Sequence, residues 1–298
     1  MIWTKEYYHR VITAAIRRLR ARVRAERRWS SVTLWLGIAI VGIMIILSLS
    51  ASWIGFTNPN EQDLNATLLR PSIEHPFGTD ELGRDIFTRV LHGARIDLSF
   101  GLITTYVSLV IGMLLGALAG YFGGAFDTIT MRAVDTVIAF PYIVLILAIA
   151  SVVGAGLFGA YIGVLAVSWA LYARLTRGEM LVLREMQYMM AAETLGLPVR
   201  RIIFVHAIPN LLRANLVFSM SDIVLNILTL AALSYLGLGV RPPTAEWGSI
   251  IAQGQKYLRT AYWISTLPGI VVVFVGVGFA LIGDGLADRL GEDGMGAA

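Results

Sequence analysis

Few side chains in this sequence have the type and spacing that chemistry demands. Cysteine is absent, which excludes disulfides, thiolate metal sites and thiol nucleophiles. Lysine occurs only as Lys5 and Lys256, and no glycine-rich loop ends in Gly-Lys-Ser/Thr, so the chain lacks the usual phosphate cradle for a nucleotide. No nucleophile elbow, zincin motif or paired catalytic carboxylates occur either. His75 and His92 have acidic neighbours, but their spacing matches no dedicated metal site, and His206 reads as a hydrogen-bonding surface residue. One polar pair remains, Asp222 and Asn226, a helical turn apart inside an otherwise apolar run. An ionisable group in such a run is costly and faces a cavity or a partner. Asp222 and Asn226 are therefore candidates either for lining a polar path or for tying their helix to a neighbouring helix or second subunit.

The elements that must position them are membrane spans. Of 298 residues, 56% are hydrophobic and 15% charged, with a mean hydropathy of +0.70, well away from the soluble balance. The residues from Val32 to Ile54 carry no charge over a length that crosses ~30 Å of hydrocarbon. Arginines from Arg17 to Arg28 precede that run, a positive-inside signature rather than a nucleic-acid surface. Ile12, Ile16, Leu19 and Val23 recur at helical spacing among them, as in a helix lying on the membrane surface. The basic region and apolar run exceed a cleavable signal, so an uncleaved anchor is expected. Further spans are expected at Leu98–Gly120, Val134–Val153, Phe158–Tyr172, Leu211–Leu236 and Trp263–Gly283, with Asp284 as a loop or cap residue. Six crossings return both termini to the cytoplasm. The organisation is then a basic segment 1–31, a first transmembrane helix 32–54, an acid-rich outer loop 55–97 and a membrane domain 98–288 carrying a cytoplasmic loop at 174–210. Gly112, Gly116 and Gly120 repeat every fourth residue, placing them on one face where helices can approach closely.

The cytoplasmic loop is too long for a simple turn. Its first half has helical composition, Gly196 with Leu197 and Pro198 stops that helix, and Arg200 to His206 starts a second one running to Pro209. Two short helices about a tight break form a protruding knob. Ala191, Ala192, Gly196, Ile208, Pro209 and Asn210 resemble the coupling signature of ABC importer permeases, in which Glu-Ala-Ala precedes a glycine and an aliphatic-Pro pair follows. Met190 stands in place of that glutamate, while Glu193 lies three residues on. His75 to Gly101, Gly120 to Pro141 and Ser234 to Gly239 are similar to the C-type subunits of dipeptide, oligopeptide and nickel permeases, so the likeness extends over nearly the whole chain.

This resemblance implies an all-α polytopic membrane protein of about six transmembrane helices with the type I ABC importer permease fold, in the bacterial cytoplasmic (inner) membrane. It implies a permease subunit that is not an enzyme and binds no cofactor itself, with ATP and magnesium held by two cytoplasmic ATPase subunits. Its other partners would be a homologous permease subunit, an extracytoplasmic substrate-binding protein and membrane lipid, with no nucleic acid. The coupling loop would dock on the ATPases through Ala191, Ala192, Leu195, Gly196, Leu197, Ile208 and Pro209, with Leu195 and Leu197 at its apolar tip. Di- or oligopeptides are the expected cargo, although relatives handle glutathione-like compounds, nickel chelates and opines. A secondary transporter using Asp222 as its coupling site is the rival reading; it would need a pair of broken helices in each half, and the sequence shows none.

Because the native chain lacks cysteine, topology can be read with single introduced cysteines. An impermeant thiol reagent applied to intact cells should label Gln62→Cys and not Gln187→Cys; the reverse pattern would invert the orientation.

Overall fold

The computed structural model describes residues 31–53, 55 and 58–295. The expected surface helix over Ile12–Val23 lies outside the described residues. The described chain is all-α: α1 (Ser31–Ser50), α2 (Ile86–Phe122), α3 (Gly124–Ile138), α4 (Tyr142–Val153), α5 (Leu157–Arg184), α6 (Gln187–Thr194), α7 (Val199–Tyr235), α8 (Trp247–Gly254) and α9 (Trp263–Met295). Among the described residues five helices are long and apolar enough to cross a membrane, and a sixth span is formed if α3 and α4 are one broken crossing.

Several boundaries differ from the sequence expectations. The helix expected from Leu98 begins at Ile86, because Asp85 caps it: its carboxylate accepts from Thr88 N–H at 2.7 Å and from the Thr88 hydroxyl. The span expected at Val134–Val153 is two helices meeting at 90°. Pro141 causes the break, since it supplies no N–H to continue α3 and disfavours helical geometry at Phe140. The helix expected to end at Tyr172 runs on to Arg184. Its extra turns are held by ion pairs to α3, with Arg177 gripping Asp127 through two bonds of 2.5 and 2.6 Å and Arg174 pairing with Asp135. Asp284 falls inside α9, neither in a loop nor at a cap, because α9 continues through Met295.

The central pair is α2 with α5. A methyl group added to Gly112 would stand 2.4 Å from the Trp169 carbonyl oxygen, and one on Gly116 would stand 2.4 Å from that of Ala173. Gly120 abuts Met180 in the same way. The every-fourth glycines therefore serve helix packing, as hydrocarbon-buried helices require for backbone approach. α1 meets α9 likewise, Gly37 against the Gly278 carbonyl and Gly285 against Leu34.

At the end opposite α6, the segment 58–85 and the short α8 cap the bundle. Arg84 donates to Asp80 at 2.7 Å and to Gln253 at 2.9 Å, and buried Arg89 donates to Pro59 and Asn60, both at 3.1 Å. His75 Nδ1 lies 3.1 Å from Asp85, so this histidine steadies the cap. Gly83 needs φ of +68°, and a side chain there would overlap the Asp63 carbonyl. α8 is wedged deeper: Gly248 packs on the Ala231 backbone of α7, and the fully buried Trp247 donates its indole N–H to the Val90 carbonyl of α2 at 3.0 Å.

Gly116→Leu should prevent α2 and α5 from closing, because the clash is with backbone that cannot swing aside; overpacking of this kind costs about 1–3 kcal/mol or more. Membrane-extracted, monodisperse protein should fall several-fold, whereas Gly178→Ala, whose added methyl meets open space, should leave the yield unchanged.

Candidate functional site

The knob between α5 and α7 is built by three local devices. α5 ends at Arg184, whose guanidinium donates to the Tyr121 carbonyl at the end of α2 at 2.9 Å. α6 then turns away for two turns and stops at Gly196, where φ is +70°. The stop is a Schellman motif: Leu197 N–H reaches back to the Ala192 carbonyl at 3.1 Å and Gly196 N–H to that of Glu193 at 2.9 Å. Such a motif seats the residue after its glycine against the helix it ends. Leu197 is accordingly packed against the cluster of Met180, Met189, Ala192 and Ile202.

This corrects the expected apolar tip. Leu195 is 80% exposed at the apex, but Leu197 is folded back into the protein's own packing. Ala192 is buried beneath α6 while Ala191 is exposed on it, so the two alanines differ in surroundings. Met190, in the place of the signature glutamate, is half exposed, and Glu193 hydrogen-bonds the Tyr121 hydroxyl.

The second helix of the knob does not end at Pro209. Residues Ile202–Ala207 widen into a π-turn, with Ile208 N–H bonded five residues back to Ile203, and the helix passes through Pro209 into the span as α7. Proline removes one N–H and crowds the carbonyl four residues before it, and widening the turn relieves both. The Asn210 amide then satisfies the His206 carbonyl at 2.7 Å. Ile208 is partly buried and Pro209 exposed, so the knob is rigidly continuous with a membrane span.

Asp222 and Asn226 lie on the opposite side of α7 from its exposed residues. Both are buried. Asp222 accepts from the Tyr172 hydroxyl of α5 at 3.0 Å and from the Asn226 amide at 3.1 Å. Asn226 also donates to Thr105 of α2 at 2.8 Å and accepts from Tyr142 of α4 at 3.0 Å. Tyr142 continues to Ser168 at 2.9 Å. The two residues thus join α2, α4, α5 and α7 within one chain, the arrangement of a tie between helices. The face of α7 open to the outside carries Ser221, Leu225 and Leu228 instead. Sequence reasoning missed a further buried pair, Asp97 of α2 and Glu246 at the start of α8. Asp97 falls at the end of the expected outer loop, and Glu246 shows itself only as a cap, accepting from Gly248 and Ser249 N–H at 2.7 Å each.

A long α5, a glycine-stopped knob and a span rising directly from it are the features on which a comparison with known proteins bears. The model of the family described as binding-protein-dependent transport system inner membrane component matches residues 112–292, which includes the whole knob. The chain belongs to this family. It is 39% identical over 251 residues to the probable D,D-dipeptide transport system permease protein DdpC of Escherichia coli strain K12, covering 84% of each chain. It is 39% identical over 263 residues to the dipeptide transport system permease protein DppC of Alkalihalophilus pseudofirmus, covering 85% of each. It is 36% identical over 254 residues to the glutathione transport system permease protein GsiD of Pectobacterium atrosepticum, covering 84% of each. This permease is thus a multi-span subunit of an ABC importer of the inner membrane, and as a permease component it is not the catalytic part of that assembly. Family membership sets aside the secondary-transporter reading, and one broken helix pair occurs among the described residues where that reading needs two.

Asp222→Ala would leave the Tyr172 hydroxyl and Asn226 amide without their acceptor, a cost of about 1–3 kcal/mol for each buried group. Assembled protein should fall with Asp222→Ala and recover largely with Asp222→Asn, which keeps an acceptor for Tyr172. Full assembly of the alanine variant with loss of uptake would instead make Asp222 a path residue.

Proposed function

We propose that this permease forms half of a translocation path for short peptides, paired with a homologous sister subunit and driven by two cytoplasmic ATPases that dock on the α6 knob. The cargo reading is supported by relatives named for dipeptide, D,D-dipeptide and glutathione transport, all compounds with peptide-type bonds and free charged ends. An extracytoplasmic binding protein would deliver the peptide to the cap built from 58–85 and α8. ATP and magnesium would be held by the ATPases.

The observation that carries the mechanical part is the apex: Leu195 projects 80% exposed beside a helix stop that needs φ of +70° at Gly196. An exposed leucine on a braced projection suits a pocket on a partner, and one well-seated apolar anchor can dominate a small interface. Ala191 and Met190 would flank it, while Ala192 and Leu197 hold the knob's shape from within. Because α7 rises from the knob without a flexible link, a push on Leu195 would be delivered to the face of α7 bearing Ser221, Leu225 and Leu228. That face would border the path and the sister subunit. Asp222 and Asn226 would act behind it, keeping α7 in register with α2, α4 and α5 as it moves.

Gly196→Val should be the most informative substitution. A methyl at this position meets open space, so the effect is backbone strain alone, of order 1–3 kcal/mol. In the reconstituted complex, substrate-stimulated ATP hydrolysis and uptake should fall together by about tenfold or more, as should Leu195→Asp, while insertion and pairing with the sister subunit persist. Full stimulated hydrolysis in both variants would remove the coupling assignment.

A further inference from the structure

We infer that Asp97 and Glu246 share one buried proton, and that this proton holds α8 in place between α2 and the far end of α7. Both side chains are 0% exposed. Trp247, the residue next to Glu246, donates its N–H to Asp97, so the two carboxyl groups lie side by side, each acting on the other. Two carboxylates have four acceptor oxygens and no donor, so a hydrogen bond between them requires a proton on one.

The surrounding donors assign it. Both Glu246 oxygens are occupied by N–H donors, from Gly248 and Ser249 at 2.7 Å each, which suits an ionised, helix-capping carboxylate. Asp97 Oδ2 accepts from Trp247 N–H at 3.1 Å, but its Oδ1 is buried without any donor. A proton on Asp97, donated to Glu246, satisfies every one of these atoms. Burial pushes the Glu246 carboxyl upward, while the Gly248 and Ser249 N–H groups, the Ser234 hydroxyl and Asp97 act the other way and favour its ionised form.

Among the described residues, no cation shown pairs with either carboxylate. On α2, Arg89 is directed at Pro59, Asn60 and Asp80, Arg95 donates to the Ser48 and Leu49 carbonyls and the Ser52 hydroxyl, and His92 is the remaining ionisable residue within two turns of Asp97. Beyond α8, Lys256 pairs with Glu81 at 2.6 Å, and Arg241 in the preceding link is exposed. Ile223 to Ser234 of α7 and Trp263 to Gly283 of α9 contain no ionisable residue.

The position gives the proton its consequence. Glu246 hydrogen-bonds Ser234 at the end of α7, whose hydroxyl also accepts from Val240 N–H at 2.9 Å, and Gly93 of α2 lies against the Glu246 backbone. The pair therefore joins α2, the exit of α7 and the first turn of α8. Losing the proton sets two like charges side by side in a low-dielectric interior and drives these elements apart. A folded state that holds one more proton than the unfolded chain loses stability as pH rises.

The test uses the full-length protein purified from membranes. Infrared difference spectra should contain the carbonyl band of a protonated carboxylic acid, moved by isotope-labelled aspartate and missing from Asp97→Asn. The asparagine amide can donate to Glu246 and its oxygen can accept from Trp247, so Asp97→Asn should fold to within about twofold of wild type. Asp97→Ala and Glu246→Gln, which each strand a buried partner, should yield several-fold less. The melting temperature of the wild type should fall by several degrees between about pH 5 and pH 9, and that of Asp97→Asn by less than half as much. No labelled-aspartate band in the wild type, equal damage from asparagine and alanine, or equal pH slopes would each overturn the shared proton. The band is read on the wild type, so the inference can fail even where a variant does not fold, and none of these outcomes depends on the peptide reading.

Discussion

Inside hydrocarbon, burying one more leucine between two helices gains little, because lipid is as apolar as the helix it replaces. What holds such a bundle is backbone-to-backbone approach, and in this permease that approach is most extensive between α2 and α5. Gly112, Gly116 and Gly120 bring α5 so near that carbonyl oxygens of Trp169 and Ala173 occupy the space of a methyl group. The other elements are placed against this pair. α3 is clamped to the extended end of α5 by two ion pairs, α4 packs along it, and α7 is joined to both members through Thr105 and Tyr172.

The knob inherits its rigidity from the same pair. Arg184 ties the end of α5 to the end of α2, Glu193 hydrogen-bonds Tyr121, and Met189, Ala192 and Leu197 pack down onto Ala117 and Met180. Only Leu195 and its exposed neighbours are left outside. A projection that is fixed on one side and continuous with a span on the other transmits displacement rather than absorbing it. The π-turn before Pro209 is the one irregularity in that connection, and it lies where α7 leaves the knob.

Buried polar groups fall into two tiers along the bundle. Near the middle, Asp222 and Asn226 are met by hydroxyls from three other helices. Toward the α8 end, Asp97 and Glu246 are met by the first N–H groups of a short helix and by each other. The first tier keeps helices in register by hydrogen bonds from uncharged donors. The second depends on protonation, since α8 offers N–H donors but no positive side chain to balance two acids.

Much of this was legible in the sequence because hydrophobic runs, glycine spacing and a helix-stopping glycine are local signals. The uncharged runs of Val32–Ile54 and Trp263–Gly283, the glycine face of α2 and the stop at Gly196 needed no tertiary knowledge. Helix lengths were less legible, because whether Arg174 and Arg177 end a helix or prolong it depends on acids brought up from α3, forty or fifty residues away. The bend at Pro141 was local in cause but hidden by a continuous apolar run on both sides. Whether Leu197 faces outward or inward followed from the Schellman geometry together with the packing beneath it. The side to which Asp222 points, and the meeting of Asp97 with Glu246, belong to tertiary structure alone: residues fifty and more than a hundred positions apart become partners only when α2, α5, α7 and α8 have closed on one another, and the burial that makes their polar atoms matter exists only then.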